Sequence, residues 1–181
     1  MDEKQLVRQV LGGSESAIRL LIGKYERLVV HMVSRAVYND QDREELCQDV
    51  FIKVIDKLGT FNFDSKLSTW IATIAFRMAV NFAKKKKLDQ VELEEVEFRI
   101  GETVEVTEQE DMNRFILRLV DQLPLNYKSV LTLFYLDGFS YPEIVEITGM
   151  PEGTVKNYIH RARLKLKKIV EEQAKKEVAL L

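Results

Sequence analysis

The chain has 181 residues, of which 46 % are hydrophobic and 31 % charged, a balance typical of a folded protein and not of a disordered one. No apolar run reaches the roughly 18 residues of a membrane span, and the charged N-terminus lacks a signal peptide's apolar stretch, so we expect a cytoplasmic protein. A single cysteine excludes an internal disulfide and a cysteine-rich metal site, and we expect neither metal nor cofactor.

Charge is distributed unevenly, although the net charge is only −2. Residues 1–87 carry 15 basic and 11 acidic side chains, a net +4. Residues 88–112 carry one basic and 10 acidic side chains, a net −9, and residues 113–181 carry 11 and 8, a net +3. Two basic blocks therefore flank an acidic connector, a pattern that favours two modules with a linker between them.

Helical periodicity extends over nearly the whole chain outside the connector, and no segment alternates with the period of a β-strand. In the first block we predict helices ending at Gly12, then from Ser14 to about Val37, from Asp42 to about Leu58, and from Ser68 to Lys87. In the second block we predict helices at about 112–122, 125–136, 141–148 and 152–172. The expected fold is all-α, with two small helical domains at 1–87 and 112–181 joined by a flexible acidic linker at 88–111.

The helix predicted from Asp42 has an acidic edge with one apolar residue inside it. Its core stripe includes Leu46, Val50 and Cys47, so we expect an inert, buried thiol. The opposite edge carries Glu45, Gln48, Asp49, Ile52 and Asp56. An exposed isoleucine within an acidic rim is typical of a contact with a basic protein partner. A solvated face with one stray isoleucine is the alternative.

The helix predicted from Ser68 has an aromatic, polar and basic stripe opposite its core stripe. Candidate binding residues on this helix and in the loop before it are Phe61, Lys66, Trp70, Thr73, Arg77, Asn81, Lys84 and Lys85. Aromatic rings that stack on bases, beside cations that bind the backbone, are typical of single-stranded DNA binding. The alternative for the tryptophan is a place in the core.

Residues 140–163 predict a helix-turn-helix. Ser140 and Glu143 have capping-box spacing, Gly149 lies in a short turn, and Pro151 suits the first turn of the next helix. On the second helix, Val155, Ile159, Ala162 and Leu166 form a core stripe. The candidate DNA-binding residues are Thr154, Lys156, Asn157, His160, Arg161 and Arg163, because a basic and amide-bearing face suits the major groove.

Three stretches together resemble the extracytoplasmic-function group of the sigma-70 family of RNA polymerase sigma factors. Asp42–Ile52 is similar to the polymerase-binding helix, Phe61–Ala75 looks like the DNA-melting segment, and Leu123–Leu166 is similar to the promoter-binding domain. In order and spacing, the resemblance covers nearly the whole chain outside the connector. One departure is that Phe76-Arg77 follows Ile74-Ala75 and Asn81 stands where relatives often have an acid, so the pocket for an unstacked base is expected to differ.

The resemblance implies a non-enzymatic transcription initiation factor that binds core RNA polymerase and promoter DNA. The acidic edge would contact the clamp helices of the largest subunit, the helix from Ser68 the minus-ten element, and the helix-turn-helix the minus-thirty-five element and the polymerase flap. The acidic linker would enter the polymerase, and an anti-sigma factor would hold the protein inactive, with no membrane contact of its own. The alternatives are a stand-alone helix-turn-helix regulator, an inactive sigma-like adaptor and an enzyme. The sequence has no phosphate-binding loop, nucleophile elbow or metal-binding spacing for the last.

Overall fold

The computed structural model describes residues 2–89, 115 and 118–178. Among the described residues, contacts define two compact units, which fall within Met1–Asp89 with Pro142–Met150 and within Gln90–Tyr141 with Pro151–Leu181. The described elements are the helices α1 (Glu3–Leu11), α2 (Glu15–Ser34), α3 (Asp40–Lys57), α4 (Leu67–Asp89), α5 (Leu125–Tyr135), α6 (Tyr141–Thr148) and α7 (Glu152–Val178), with a 3-10 turn at Leu58–Thr60. The all-α class is confirmed. Residues 90–111 of the predicted linker lie outside the described residues, as does much of the helix predicted at 112–122.

The boundary between α1 and α2 follows the prediction. Gly13 has φ +78°, a conformation that favours glycine, and Ser14 caps α2 by accepting a hydrogen bond from the Ala17 N–H at 3.5 Å. The predicted end of α2 at Val37 is three residues too late, because the helix ends at Ser34. The Ser34 hydroxyl donates to the Val30 carbonyl at 2.6 Å, a bond that competes with the helical backbone pattern.

The third helix begins earlier than predicted. The side-chain oxygen of Asn39 accepts a hydrogen bond from the Asp42 N–H at 2.9 Å, so Asn39 is the N-cap and α3 starts at Asp40. Asn39 and Asp42 are both residue types that often cap helices, and the local sequence pattern alone did not show which of them is the N-cap. The 3-10 turn then redirects the chain into the loop before α4.

The core of the first unit lies among α2, α3 and α4, each of which packs against the other two. Its fully buried side chains include Leu21, Val29, Val33, Val50, Val54, Leu58, Leu67 and Ile71. Helix α1 packs on α2 and on the 3-10 turn through Leu6, Val7 and Val10. This packing leaves one edge of α3 and one stripe of α4 at the surface.

In the second unit, α5 packs against α7. Val120, Leu123, Leu131 and Ala162 form a buried cluster, with Tyr127, Leu166 and Ile169 packed against it. Lys128 is only 4 % exposed, and its Nζ lies 2.5 Å from Asp121 Oδ1. A buried cation of this kind is retained only where a partner offsets the loss of its hydration. The cluster holds α7 with its opposite face outward.

Candidate functional site

The acidic edge of α3 is exposed as predicted. Glu45, Gln48, Asp49, Ile52 and Asp56 are all at the surface, within about a third of the helix circumference. The Ile52 side chain is 66 % exposed, although an isoleucine is normally among the most buried residue types. The edge therefore presents one apolar side chain surrounded by carboxylates.

A groove of about 510 Å³ lies beside this edge, between α2 and α3. Gln48 lies on the acidic edge and also lines the groove, together with Cys47 and Arg43. Cys47 was expected to be buried, but it is only half-buried, because its side chain lines this groove. Burial nevertheless raises the pKa of Cys47, against the opposing effect of Arg43, so the thiol stays protonated at neutral pH.

An aromatic cluster precedes α4. The Phe61 ring centroid lies 4.6 Å from that of Phe63 and 5.4 Å from that of Trp70. Phe61, a predicted DNA-contact residue, is only 6 % exposed, because its N–H closes the 3-10 turn and its ring faces the core. Phe63, absent from the predicted set, is 40 % exposed and has φ +64°. The exposed ring of the loop is therefore Phe63, supported by Phe61.

The stripe on α4 is partly available. Arg77, Asn81, Lys84 and Lys85 are exposed, whereas Trp70 and Thr73 are half-buried. The Thr73 hydroxyl donates to the Thr69 carbonyl at 2.9 Å, which leaves its oxygen only as an acceptor. The sequence left two alternatives for Trp70, a DNA contact and a place in the core. Trp70 is half-buried, with its ring packed in the aromatic cluster and partly open to solvent.

Two lysines near this stripe have acidic partners. Lys66 Nζ lies 3.0 Å from Glu143 Oε1, and both residues belong to the first unit. Lys86, at the end of α4, forms an ion pair with Asp42 in the first turn of α3. Sequence spacing did not indicate either pair, because the partners are far apart along the chain. A phosphate that binds Lys66 would have to compete with the Glu143 carboxylate.

The segment predicted as a helix-turn-helix contains the two predicted helices and the turn at Gly149. Gly149 has φ +71°, and the Met150 N–H donates to the Thr148 hydroxyl oxygen at 3.2 Å, so the chain turns between α6 and α7. Pro151 lies one residue before α7, not in its first turn. Its carbonyl accepts hydrogen bonds from the Thr154 and Val155 N–H groups at 2.9 and 3.1 Å.

The two faces of α7 separate as predicted. Val155, Ile159 and Ala162 are buried, and Leu166 is half-buried on the same stripe. Of the candidate DNA-binding residues, Thr154 is half-buried, and those that are exposed are Lys156, Asn157, His160, Arg161 and Arg163. This face combines amide, imidazole and guanidinium groups that can bond base edges with cations that can bind phosphates.

Lys156 is held in place at the start of α7. Its Nζ lies 2.6 Å from Glu152 Oε1 and 5.6 Å from the centroid of the Tyr141 ring. The hydrogen bond and charge of Glu152 raise the pKa of Lys156, so this side chain remains a cation.

Across the described ranges, no group of three His, Cys, Asp or Glu residues could hold a metal ion. None of the helices in these ranges has the length and apolar character of a membrane span.

Comparison with known proteins identifies the family. The family model described as Sigma-70 region 2 matches residues 21–88, and the one described as Sigma-70, region 4 matches residues 116–166. The RNA polymerase sigma-H factor of Pseudomonas aeruginosa is 31 % identical over 173 residues, which cover 89 % of this chain and 90 % of the relative. The ECF RNA polymerase sigma-E factor of Escherichia coli K12 is also 31 % identical, over 90 % of this chain and 91 % of the relative. The chain belongs to the sigma-70 family of RNA polymerase sigma factors, in the extracytoplasmic-function group.

Two solved structures share the fold. CnrH, in complex with the cytosolic domain of CnrY, has a TM-score of 0.69 at 19 % identity and covers 94 % of this chain and 97 % of its own. RpoE from Bartonella quintana, in complex with the anti-sigma factor NepR, has a TM-score of 0.65 at 21 % identity and covers 84 % and 96 %. The family assignment confirms the predicted class, a transcription initiation factor that directs core RNA polymerase to promoters. A stand-alone regulator or an adaptor is not favoured.

Proposed function

We propose that this sigma factor binds its partners through three surfaces. The acidic edge of α3 binds the polymerase, α4 with its preceding loop binds the minus-ten element, and α7 binds the minus-thirty-five element. The observation that carries the proposal is the exposed amide-bearing and basic face of α7, opposite a buried stripe, within the stretch that matches region 4. The surfaces of α3 and α4 lie within the stretch that matches region 2.

The edge of α3 binds the clamp helices of the polymerase's largest subunit. Ile52 supplies apolar area that becomes buried on binding, while Glu45, Asp49 and Asp56 complement a basic partner surface. Gln48, at the groove between α2 and α3, supplies a hydrogen-bonding amide at the rim. The isoleucine therefore contributes most of the affinity for the polymerase, whereas the carboxylates determine the orientation of the complex and the rate of encounter.

The stripe of α4 and the aromatic cluster bind the opened minus-ten strand. Unstacking a base step costs a few kcal/mol, and stacking on an aromatic side chain offsets roughly 1–3 kcal/mol of it per base. Trp70 offers part of its ring for stacking, while Arg77, Lys84 and Lys85 bind the backbone. Lys66 joins them once DNA displaces the Glu143 carboxylate. Asn81 supplies an amide for a base edge, in place of the acid common in relatives.

The face of α7 enters the major groove of the minus-thirty-five element. Arg161 and Asn157 have the geometry for paired hydrogen bonds to guanine and adenine edges. Lys156, Arg163 and Thr154 bind phosphates beside the groove, and the positive end of the helix dipole favours a phosphate near Thr154 in the first turn. His160 lies between these groups on the same exposed face.

The domain organisation explains how weak contacts produce specific binding. We assign residues 1–87 to the domain that binds the clamp and minus-ten element, and 112–181 to the domain that binds the flap and minus-thirty-five element. The linker at 88–111 contains ten acidic side chains and one basic one, and it follows the polymerase channel that accepts nucleic acid. Tethered on one polymerase, the two domains act at high effective concentration, so the free chain binds promoters weakly.

We also propose that an anti-sigma factor regulates this chain in the cytoplasm and that the chain itself catalyses no reaction. The support is the pair of structural neighbours, of which CnrH is bound to the cytosolic domain of CnrY and RpoE to the anti-sigma factor NepR. A partner that covers both DNA-binding surfaces would block promoter binding without altering the fold.

The test is transcription in vitro with core polymerase on a fragmented genome of the source organism, with the transcript starts mapped. We expect new starts that share spaced minus-thirty-five and minus-ten motifs. Lys156→Ala with Arg161→Ala should abolish them, whereas the control Arg8→Ala with Arg19→Ala removes the same charge from exposed positions outside the proposed surfaces. Equal losses from both pairs would refute the assignment of α7 to DNA, and starts without shared motifs would refute promoter reading.

A further inference from the structure

Helix α1 lies before the stretch that matches region 2, which begins at residue 21. It is nevertheless fastened to the first unit. Leu6, Val7 and Val10 are buried, and Glu3 Oε1 accepts a hydrogen bond from the Tyr25 hydroxyl at 3.0 Å. The helix therefore has a defined position from which its other side chains can act on neighbours.

That position is beside the loop that precedes α4. Helix α1 packs against the 3-10 turn at Leu58–Thr60, and a β-carbon placed on Gly59 would lie 3.8 Å from Leu11 Cδ2. Further along the loop, the Lys4 Nζ lies 5.7 Å from the centroid of the Phe63 ring. At this distance an ammonium group is attracted to the face of an aromatic ring. Helix α1 thus contacts the loop at its turn and at its exposed ring.

Phe63 is the residue whose conformation most needs such a contact. Its φ of +64° lies in the left-handed region, which is rare for a bulky residue and persists only where the surroundings enforce it. The ring contacts Phe61 on one side and Lys4 on the other, yet it remains 40 % exposed. An exposed aromatic ring held in an unfavourable conformation beside a DNA-binding stripe is a preset stacking surface.

We propose that Lys4 is a positioning residue for promoter recognition, which holds the Phe63 ring ready to stack on an unstacked minus-ten base. This inference rests on the proposed minus-ten surface. Lys4 acts through Phe63 and does not itself contact DNA. Its effect therefore depends on the charge over the ring and not on a phosphate.

The experiment measures binding of a fluorescent single-stranded minus-ten oligonucleotide to the assembled holoenzyme, with each of the four bases in turn at every position. Lys4→Met keeps the aliphatic stem and removes the charge, Lys4→Arg keeps the charge, and Arg8→Ala is the control on the same helix. Trp70→Ala tests the minus-ten surface independently. Thermal unfolding of each variant checks that α1 stays folded.

We expect Lys4→Met to weaken binding by about two- to fivefold, the strength of an exposed cation–π contact, with reduced discrimination at one base position. Lys4→Arg should restore both, and Arg8→Ala should change neither. The salt dependence should stay that of the unaltered protein, whereas a lost phosphate contact would lower its slope by about one. That lower slope, or equal behaviour of Lys4→Met and Arg8→Ala, would overturn the inference. If Trp70→Ala leaves binding intact, the minus-ten assignment itself fails.

Discussion

Replacing Ile52 by alanine tests the proposed polymerase-binding edge at its exposed large apolar side chain. Full burial of an isoleucine side chain contributes roughly 1.5–3 kcal/mol relative to an exposed one. Because Ile52 is 66 % exposed in the free chain, about two-thirds of that contribution, roughly 1–2 kcal/mol, becomes available on binding. Loss of this amount weakens binding to core polymerase by about 5- to 30-fold.

The assay is competition binding of labelled chain to core polymerase, followed by fluorescence anisotropy. Leu20→Ala is the matched control, since Leu20 is 48 % exposed on α2 and lies outside the edge. Both substitutions remove exposed apolar atoms, so we expect both variants to unfold at nearly the temperature of the unaltered chain. If Ile52→Ala and the unaltered chain bind core polymerase with the same affinity, Ile52 is an exposed isoleucine that takes no part in polymerase binding. Equal losses for both variants would show nonspecific apolar adhesion.

Two further predictions concern ionisable groups that are buried or half-buried. Asp121→Asn should destabilise the second unit by about 3–5 kcal/mol in urea unfolding, because the buried Lys128 ammonium loses its carboxylate partner. Lys128→Met should cost less, since the Asp121 side chain is 31 % exposed and can be hydrated; the reverse order would contradict this account. For Cys47, the raised pKa means less thiolate at a given pH, so alkylation of the folded chain should reach its midpoint at higher pH than alkylation of the chain unfolded in urea. Coincident midpoints would contradict the effect of burial.

Local pattern was sufficient for the presence of the described helices and for most of the faces that they expose, although not for the end of α2 or the start of α3. A helix buries one stripe by its 3.6-residue period, so the separation of Val155 and Ile159 from Asn157 and Arg161 follows from spacing alone. Gly149 marked its turn and Ser14 its cap for equally local reasons, because backbone conformation and capping involve only neighbouring residues. Exposure of Ile52 inside an acidic edge followed from the same periodicity.

Tertiary packing decided what no spacing along the chain encodes. Phe61 and Phe63 are both aromatic loop residues, and only the 3-10 turn against the core determined that the first is buried and the second exposed. The approach of Lys4 to Phe63 and the pairing of Lys86 with Asp42 depend on how separate helices pack. The face that a helix buries follows from its own hydrophobic spacing, whereas these contacts arise only when separate helices pack together. They determine which of the predicted side chains remain exposed.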